Sequence, residues 1–287
     1  MALQSYKKIF IPPNFDISKI FINFAPDFVP KRFFAEKTGE KRVMKKNTFL
    51  HRIDKDLVNN MPIAAFEGET FVINLPEQVA DAMAYLNAQK KVGVDTETRP
   101  SFVKGQHFPV ALVQIATEER CYLFQLSRIG MPEELAAFFA NPQICKIGLA
   151  FKDDLNGLRR RRNFEPKNCI DVQRLVGQYG ILDLGLQKIF AICFGKKISK
   201  SQQLTNWENI ELTPEQARYA STDAWATLLI YNELMATQPL PKRVAERLRR
   251  NMLMEQQMHQ QEVLAARKAA EEQAENNNPT ETQEPNS

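Results

Sequence analysis

The sequence predicts an α/β domain, because short apolar runs of strand length alternate with longer segments of helical periodicity. Residues 77–89 are an example of the second kind, with apolar side chains every three or four positions. The apolar run at 91–97 is followed by two more, at 109–117 and 121–125, which a polar turn separates. These three runs predict an antiparallel meander.

The other elements follow from the same periodicities and from residues suited to element ends. Further strands are predicted at 70–74 and 144–149. Further helices are predicted at 132–140, 152–162, 171–179, 184–194 and, highly charged, over about 242–275. Pro214 begins the long helix of the core, with Thr213 as its N-cap, since proline suits the first helical position and a threonine oxygen can accept an amide hydrogen there.

Composition excludes several classes of protein. The chain has 287 residues and 44% hydrophobic content, which is enough for one large domain with a full core plus tails. No run of about 18 apolar residues exists, so no membrane span is expected. The four cysteines have no C-x-x-C spacing and the three histidines are scattered, which argues against a zinc site or a histidine-based nucleophile. We expect reduced thiols and a cytoplasmic location.

The ends of the chain differ from its middle. Residues 1–48 form a basic leader with ten Lys/Arg and four Asp/Glu and no sustained period. Either translation starts at Met44, or the leader is a genuine arm that contacts phosphates. A domain is predicted over 49–240, and a charged helix with a disordered acidic tail over 241–287. The net charge of only +4 argues against a strongly cationic protein that binds polyanions along its whole surface.

Three short acidic segments carry the candidate chemistry. Asp95 and Glu97 end an apolar strand two residues apart, so their side chains share a face. Tyr219 and Asp223 are four residues apart in a helical pattern and also share a face. Carboxylate oxygens hold hard divalent cations, and two such ions roughly 3.5–4 Å apart can clamp a phosphodiester.

The third acidic segment is the pair Asp153 and Asp154, where an apolar strand gives way to a helix. Acids at this position often cap the helix, because carboxylates satisfy its free amides and suit its dipole. From the residues alone, either acid could be a metal ligand and the other the cap.

Together the three segments resemble the motifs of the DEDD superfamily of 3′–5′ exonucleases, in the branch with a tyrosine in the third motif. The Werner-type exonuclease domain and that of ribonuclease D are similar in pattern. The three motifs lie at 92–100, 146–158 and 216–224, with further matches at 111–116 and 200–207. The resemblance covers about residues 60–237, and it implies a ribonuclease H-like mixed sheet flanked by helices.

The resemblance also implies an activity: hydrolysis of the terminal phosphodiester at a 3′ end, with release of a nucleoside monophosphate. It implies two Mg²⁺ or Mn²⁺ ions, with Asp95 bridging both and with Glu97 and Asp223 holding the one that carries the attacking water. Asp154 would hold the other ion, since the family spacing from the lysine and glycine of the second motif favours Asp154 over Asp153. Tyr219 would orient the attacking water.

Four other residues are candidate contacts to the substrate: Thr98, Phe102, Gln114 and Lys200. Phe102 could stack on the terminal base. Gln114 could hydrogen-bond a ligand carboxylate or be a core glutamine, and Lys200 could contact a phosphate or be a solvated loop residue. A dense basic run lies at Arg159–Arg162. Because successive helical residues spread around the helix axis, no more than two of these side chains can face one substrate strand. The run could equally be a solvated helix end, where cations suit the helix dipole.

The expected partner is a nucleic acid 3′ end, of DNA or RNA, with no membrane and no obligate protein partner. A second hypothesis is a catalytically inactive module of the same fold that binds nucleic acid. The presence of all four acids and the tyrosine favours the enzyme.

Overall fold

The computed structural model describes residues 44–103 and 105–276. In this part of the chain six strands form one sheet in the order β1-β4-β3-β2-β5-β6. The strands are β1 (Glu69–Ile73), β2 (Lys91–Thr98), β3 (Val110–Ala116), β4 (Arg120–Gln125), β5 (Cys145–Gly148) and β6 (Cys169–Asp171). β3 is antiparallel to β2 and β4, whereas β1–β4, β2–β5 and β5–β6 are parallel pairs. The sheet is mixed, as predicted.

Helices cover both faces of the sheet. They are α1 (Lys55–Asn59), α2 (Val79–Asn87), α3 (Leu126–Ile129), α4 (Glu133–Ala140), α5 (Phe151–Arg161), α6 (Val172–Val176), α7 (Leu186–Phe194), α8 (Pro214–Ala236) and α9 (Lys242–Asn276). Buried residues of α2, α4 and α5 form a core with one face. Buried residues of α6, α7 and α8 form two further clusters on the other face. This three-layer arrangement confirms the predicted fold class.

Most predicted elements, including the helix predicted over 171–179, are confirmed within a residue or two. Asp171 ends β6, and its carboxylate accepts hydrogen bonds from the amides of Ala150 and Gln173. The helix therefore begins only at Val172, and a 3₁₀ turn replaces its end at Gly177–Tyr179. No periodicity in the sequence indicates β6, α1 or α3, because each of them is five residues long or shorter.

Residues 44–48, which the sequence analysis assigns to the leader, contact the end of α8. The amide of Lys45 donates to the carbonyl of Ala236 at 2.8 Å, and its ammonium pairs with Glu233 at 2.8 Å. The rest of the predicted leader lies outside the described residues. The division into a leader, a domain over 49–240 and a tail stays a prediction. Among the described residues, no helix is long and apolar enough to cross a membrane.

Gly93 lets α8 lie directly on β2. A Cβ atom added there would be 2.0 Å from the carbonyl oxygen of Ala224, an overlap that only a shift of the helix backbone could relieve. Because Gly93 and Asp95 share a face of β2 and Asp223 precedes Ala224, this close approach sets the spacing between two of the candidate ligands.

We therefore expect Gly93→Ala to lower the free energy of unfolding by about 2–3 kcal/mol, through overpacking. Gly177→Ala is the matched control, since a Cβ at Gly177 has no neighbour within 4 Å and its φ of −61° suits alanine. Urea unfolding of both variants measures the difference. Equal stability of the two variants would contradict the proposed close approach of α8 to β2.

Candidate active site

Three carboxylates converge where the C-terminal half of β2 packs against α8. Asp95, Glu97 and Asp223 each offer an oxygen, and these oxygens lie within 4.8 Å of one another. Asp95 and Glu97 are partly buried, and Asp223 is buried. The alternation of β2 puts Asp95 and Glu97 on the face that Gly93 presents to α8, so the strand and the helix together build this acidic cluster.

The start of α8 is fixed by a capping box. The Thr213 hydroxyl accepts from the amide of Gln216 at 3.2 Å, and the Gln216 side chain accepts from the amide of Thr213 at 3.1 Å. This confirms Thr213 as the N-cap. Gln216 also donates to the hydroxyl of Thr205 and the carbonyl of Asn206, which ties the preceding loop to the helix one turn before Tyr219.

Asp154 lies outside this group of three, on the α5 side of β2. It lies in the first turn of α5, and its carboxylate accepts a hydrogen bond from the hydroxyl of Thr96, the residue between Asp95 and Glu97. Thr96 faces the α5 side of β2, whereas Asp95 and Glu97 face α8. The strand therefore presents candidate metal ligands on one face and, on the other, a hydroxyl that positions Asp154. Asp153 is exposed, whereas Asp154 is partly buried and turned toward the acids.

Burial raises the pKa values of all four acids, and the charges of neighbouring site acids raise those of Asp95 and Glu97 further. Burial raises the pKa of Asp95 well above its ordinary value, and the charges of Asp223, Glu97 and Asp154 raise it further. Burial, with Asp223 and Asp154, raises the pKa of Glu97 to about 9. Burial also raises the pKa of Asp154 to about 6 and that of Asp223 to about 7, against the opposing effects of Thr96 and Tyr219.

These shifts show that the cluster lacks sufficient positive charge of its own. Lys200 is the cation that lowers the pKa of Asp223, and its effect is smaller than that of burial. A group of carboxylate oxygens at this spacing is the donor set that hard divalent cations prefer. The residues therefore fit a divalent cation, which would offset the repulsion among the acids.

Tyr219 lies one helical turn before Asp223, with its ring against Trp207 at a centroid distance of 6.0 Å. Both rings are buried. Burial raises the pKa of the Tyr219 hydroxyl above its ordinary value, and the neighbouring Asp223 and Glu97 charges raise it further. The hydroxyl therefore stays protonated and can donate a hydrogen bond.

Gln114 lies on β3 directly opposite Asp95 in the β2–β3 pairing, so both side chains share one face. It is fully buried, and neither its amide nitrogen nor its amide oxygen has a hydrogen-bond partner among the described residues. A buried amide left unpaired costs about 1–3 kcal/mol per group. This supports the hypothesis that Gln114 serves the site over the alternative of a satisfied core glutamine.

The other predicted contacts lie around the acids. Thr98 is exposed at the end of β2, and it lines a cavity of about 530 Å³ that also includes Asp154. Phe102 is 85% exposed on the loop that follows β2 and lines a second cavity of about 410 Å³. Lys200 is exposed in the loop before Trp207. None of these positions conflicts with a substrate contact, and none by itself demonstrates one.

Two neighbours of the acids were missed by sequence reasoning. Thr96 is the middle residue of the Asp-x-Glu segment, and no periodicity distinguishes it from a solvated strand residue. Trp207 was noted only within a matched segment, although its burial against Tyr219 explains why an aromatic stands there. An indole within a polar loop was the available signal.

Comparison with known proteins decides the family. Residues 71–237, more than half of the chain, match the sequence model of 3′–5′ exonucleases. The chain belongs to the 3′–5′ exonuclease family. The acids, Tyr219 and the meander all fall within the matched residues.

Individual relatives of this exonuclease agree with the family assignment. The bifunctional 3′–5′ exonuclease/ATP-dependent helicase WRN of Mus musculus is 30% identical over 149 residues, which cover 50% of this chain and 11% of that protein. The crystal structure of Escherichia coli RNase D, an exoribonuclease involved in structured RNA processing, is 25% identical with a TM-score of 0.54, over 58% of this chain and 44% of that one.

The Nibbler EXO domain of Aedes aegypti has the same fold as this chain, and the likeness extends over nearly the whole length of that domain. It superposes with a TM-score of 0.55 at 22% identity, over 64% of this chain and 99% of that domain. Among four curated relatives, by contrast, the match spans only 11% to 52% of their length. The likeness to these four relatives therefore concerns about half of their length or less.

Proposed function

We propose that this chain is a metal-dependent 3′–5′ exonuclease that hydrolyses the terminal phosphodiester of DNA or RNA and releases a nucleoside monophosphate. The observation that carries the proposal is the convergence of Asp95, Glu97 and Asp223 within 4.8 Å. Membership of the 3′–5′ exonuclease family, whose members depend on metal ions, supports it. The proposed catalytic domain is 49–240, flanked by the leader and by the charged helix and tail at 241–287.

The proposed cofactor is a pair of Mg²⁺ or Mn²⁺ ions held by Asp95, Glu97, Asp154 and Asp223. Bound ions of this kind supply positive charge around the scissile phosphate and make a water molecule more acidic. Asp95 lies between the acids of α8 and α5, which suits a ligand shared by both ions. Asp154 is held by Thr96 at the edge of the cluster, which suits the second ion.

Tyr219 is proposed to orient the attacking water through its hydroxyl, and we propose on the same ground that the protein is a member of the tyrosine branch of the superfamily. Its raised pKa keeps the proton in place at neutral pH, so the hydroxyl acts as a donor and not as a base. Packing against Trp207 fixes the ring, and the helical spacing fixes the hydroxyl beside Asp223. Gln114 is proposed to hydrogen-bond a ligand carboxylate from the sheet side.

The proposed partner is a nucleic acid 3′ end. Thr98 and Phe102 are proposed to contact the terminal nucleotide, with Phe102 stacking on its base, and Lys200 to contact a phosphate. The cavity that Thr98 and Asp154 line and the cavity that Phe102 lines are each large enough to hold part of a strand. The convergence of Asp95, Glu97 and Asp223, with Tyr219 one helical turn from Asp223, supports the enzyme over the hypothesis of an inactive binding module.

A 5′-labelled single-stranded oligonucleotide tests the function. With Mg²⁺ or Mn²⁺ we expect stepwise shortening to a ladder of products. EDTA should stop it, since removal of the cations leaves the negatively charged acids facing the negatively charged phosphate. Matched DNA and RNA strands in parallel reveal the sugar preference. Nicking of closed circles without a ladder on linear strands would reject the proposal.

A further inference from the structure

A cavity of about 530 Å³ extends from Asp154 along the outer side of β2 and α5. Its walls include Thr96, Thr98, Arg99, Phe108, Asp154 and Arg160. The carboxylates of Asp153 and Asp154 lie in the first turn of α5, and the guanidinium of Arg160 belongs to a residue further along the same helix. The walls of the cavity thus carry both a negative charge, at Asp154, and a positive charge, at Arg160.

The four successive arginines of α5 have different environments. Arg161 donates from Nη1 to the carbonyl of Leu126 at 3.3 Å, and Arg162 donates from Nε to the carbonyl of Met131 at 2.8 Å. These two arginines bind the body of the protein. Arg159 and Arg160 are both exposed, but of these two only Arg160 lines the cavity.

Arg160 faces the cavity because of its place on the helix. Asp153, Gly157 and Arg160 follow one another at intervals of four and three residues, so they form one row along α5. A Cβ at Gly157 would be 2.7 Å from Cγ2 of Val110 and 3.8 Å from Nη2 of Arg160. The guanidinium therefore lies back over Gly157, toward the end of the helix that carries Asp154.

The charge of Arg160 is available to a ligand. Within the described residues it forms no ion pair shorter than 4.0 Å, although Asp153 and Asp154 border the same cavity. Gly157 is three residues beyond Asp154, which corresponds to roughly 5 Å along the helix axis. A group bound at Arg160 would thus lie about one helical turn away from the acids.

We propose that Arg160 binds the internucleotide phosphate adjacent to the scissile one, so that this cavity is a phosphate-binding subsite for the body of the strand. The inference rests on the proposed function for the identity of the ligand. Guanidinium groups bind phosphate oxygens through paired, charge-assisted hydrogen bonds, and the exposed guanidinium of Arg160 lines the cavity where such a phosphate would lie. Arg160 grips the substrate and takes no part in bond cleavage.

The test compares Arg160→Gln with Arg159→Gln in the full-length protein. Both changes remove one exposed charge from the same helix, and only the first removes it from the cavity. Binding of a 5′-fluorescein single-stranded 12-mer is followed by anisotropy in calcium, so that binding is measured whether or not the strand is cut. We expect Arg160→Gln to weaken binding roughly ten-fold and Arg159→Gln to change it less than two-fold. Thermal melts check that both variants fold.

A substrate modification tests the same contact without any change to the protein. A neutral methylphosphonate at the second linkage from the 3′ end should weaken binding to the parent about as much as Arg160→Gln does. The same modification should have little further effect on Arg160→Gln, because the contact is already lost. A methylphosphonate near the 5′ end serves as the control.

The outcomes are distinct. Equal effects of the two arginine variants, or additive losses from Arg160→Gln and the modified linkage, would overturn the inference, as would a parent that does not bind the strand. A parent that binds the strand but never shortens it in Mg²⁺ or Mn²⁺ would reject the proposed activity alone. In that case the binding comparison would still decide the role of Arg160.

Discussion

Asp95→Asn is expected to reduce strand shortening by about 1,000-fold or more and yet to leave the metal-free protein at least as stable as the parent. Asp95 lies at the centre of the acids, so its loss disrupts the proposed cation site. The same change removes a charge whose neighbours Asp223, Glu97 and Asp154 repel it. Product ladders in Mn²⁺ and thermal melts in EDTA measure the two effects.

The raised pKa values set the sign of the pH dependence. In the folded, metal-free protein the acids hold protons that the unfolded chain has already released above its ordinary carboxyl pKa. The folded state therefore binds more protons, and its stability falls as the pH rises through the values of about 6 for Asp154, 7 for Asp223 and 9 for Glu97. We expect the melting temperature in EDTA to fall over this range less steeply for Asp95→Asn than for the parent.

Asp183→Asn is the control for a structural acid. Asp183 accepts from the amide of Ile53 at 2.9 Å and pairs with Lys188 at 3.1 Å, away from the acidic cluster. This variant should melt below the parent in EDTA and keep full activity. If Asp95→Asn instead melts well below the parent in EDTA, Asp95 is a structural residue with a satisfied partner, and the proposed cation site is wrong.

Asp154→Asn is expected to slow strand shortening by about 100-fold or more, whereas the neighbouring Asp153→Asn should change the rate less than three-fold. Asp154 faces β2 and accepts from Thr96, so its charge belongs to the cluster. Asp153 is exposed and acts on the cluster only by raising the pKa of Asp154. Initial rates on one labelled strand compare the two variants directly.

The reverse order of effects would mean that Asp153 is the ligand and that the second motif is displaced by one residue. Equal and small effects would remove the second motif from the proposed site altogether. Because the two acids are adjacent and carry the same charge, a general loss of negative potential cannot explain a large difference between them.

Sequence reasoning could predict the acidic cluster because its geometry depends on local periodicity. A strand period of two aligns Asp95 with Glu97, and a helical period of about four aligns Tyr219 with Asp223. The longer strands and helices were predictable for the same reason, because their apolar residues also recur with the period of a strand or of a helix. The choice of Asp154 over Asp153 depended on the resemblance to the exonuclease family, since residue chemistry left both acids possible.

Features that depend on tertiary contacts could not be predicted in this way. The hydrogen bond from Thr96 to Asp154 joins β2 to α5 across 58 residues of sequence, and no pattern near Thr96 indicates it. The separate environments of Arg160 and Arg161 depend on Val110 and Leu126, which are distant in sequence. Strand β6 has only three residues, which is too short to show a periodic pattern in the sequence. Its extended conformation depends on its pairing with β5.

Titration of Mn²⁺ into the metal-free protein, followed by calorimetry at neutral pH, tests the central claim most directly. The parent should bind two ions per chain, with protons released from acids whose pKa values lie at or above neutrality, as in Glu97. Asp95→Asn should lose at least one of these ions, and Asp183→Asn should retain both. The same binding isotherm for the parent and for Asp95→Asn would contradict the proposal that these acids hold the catalytic ions.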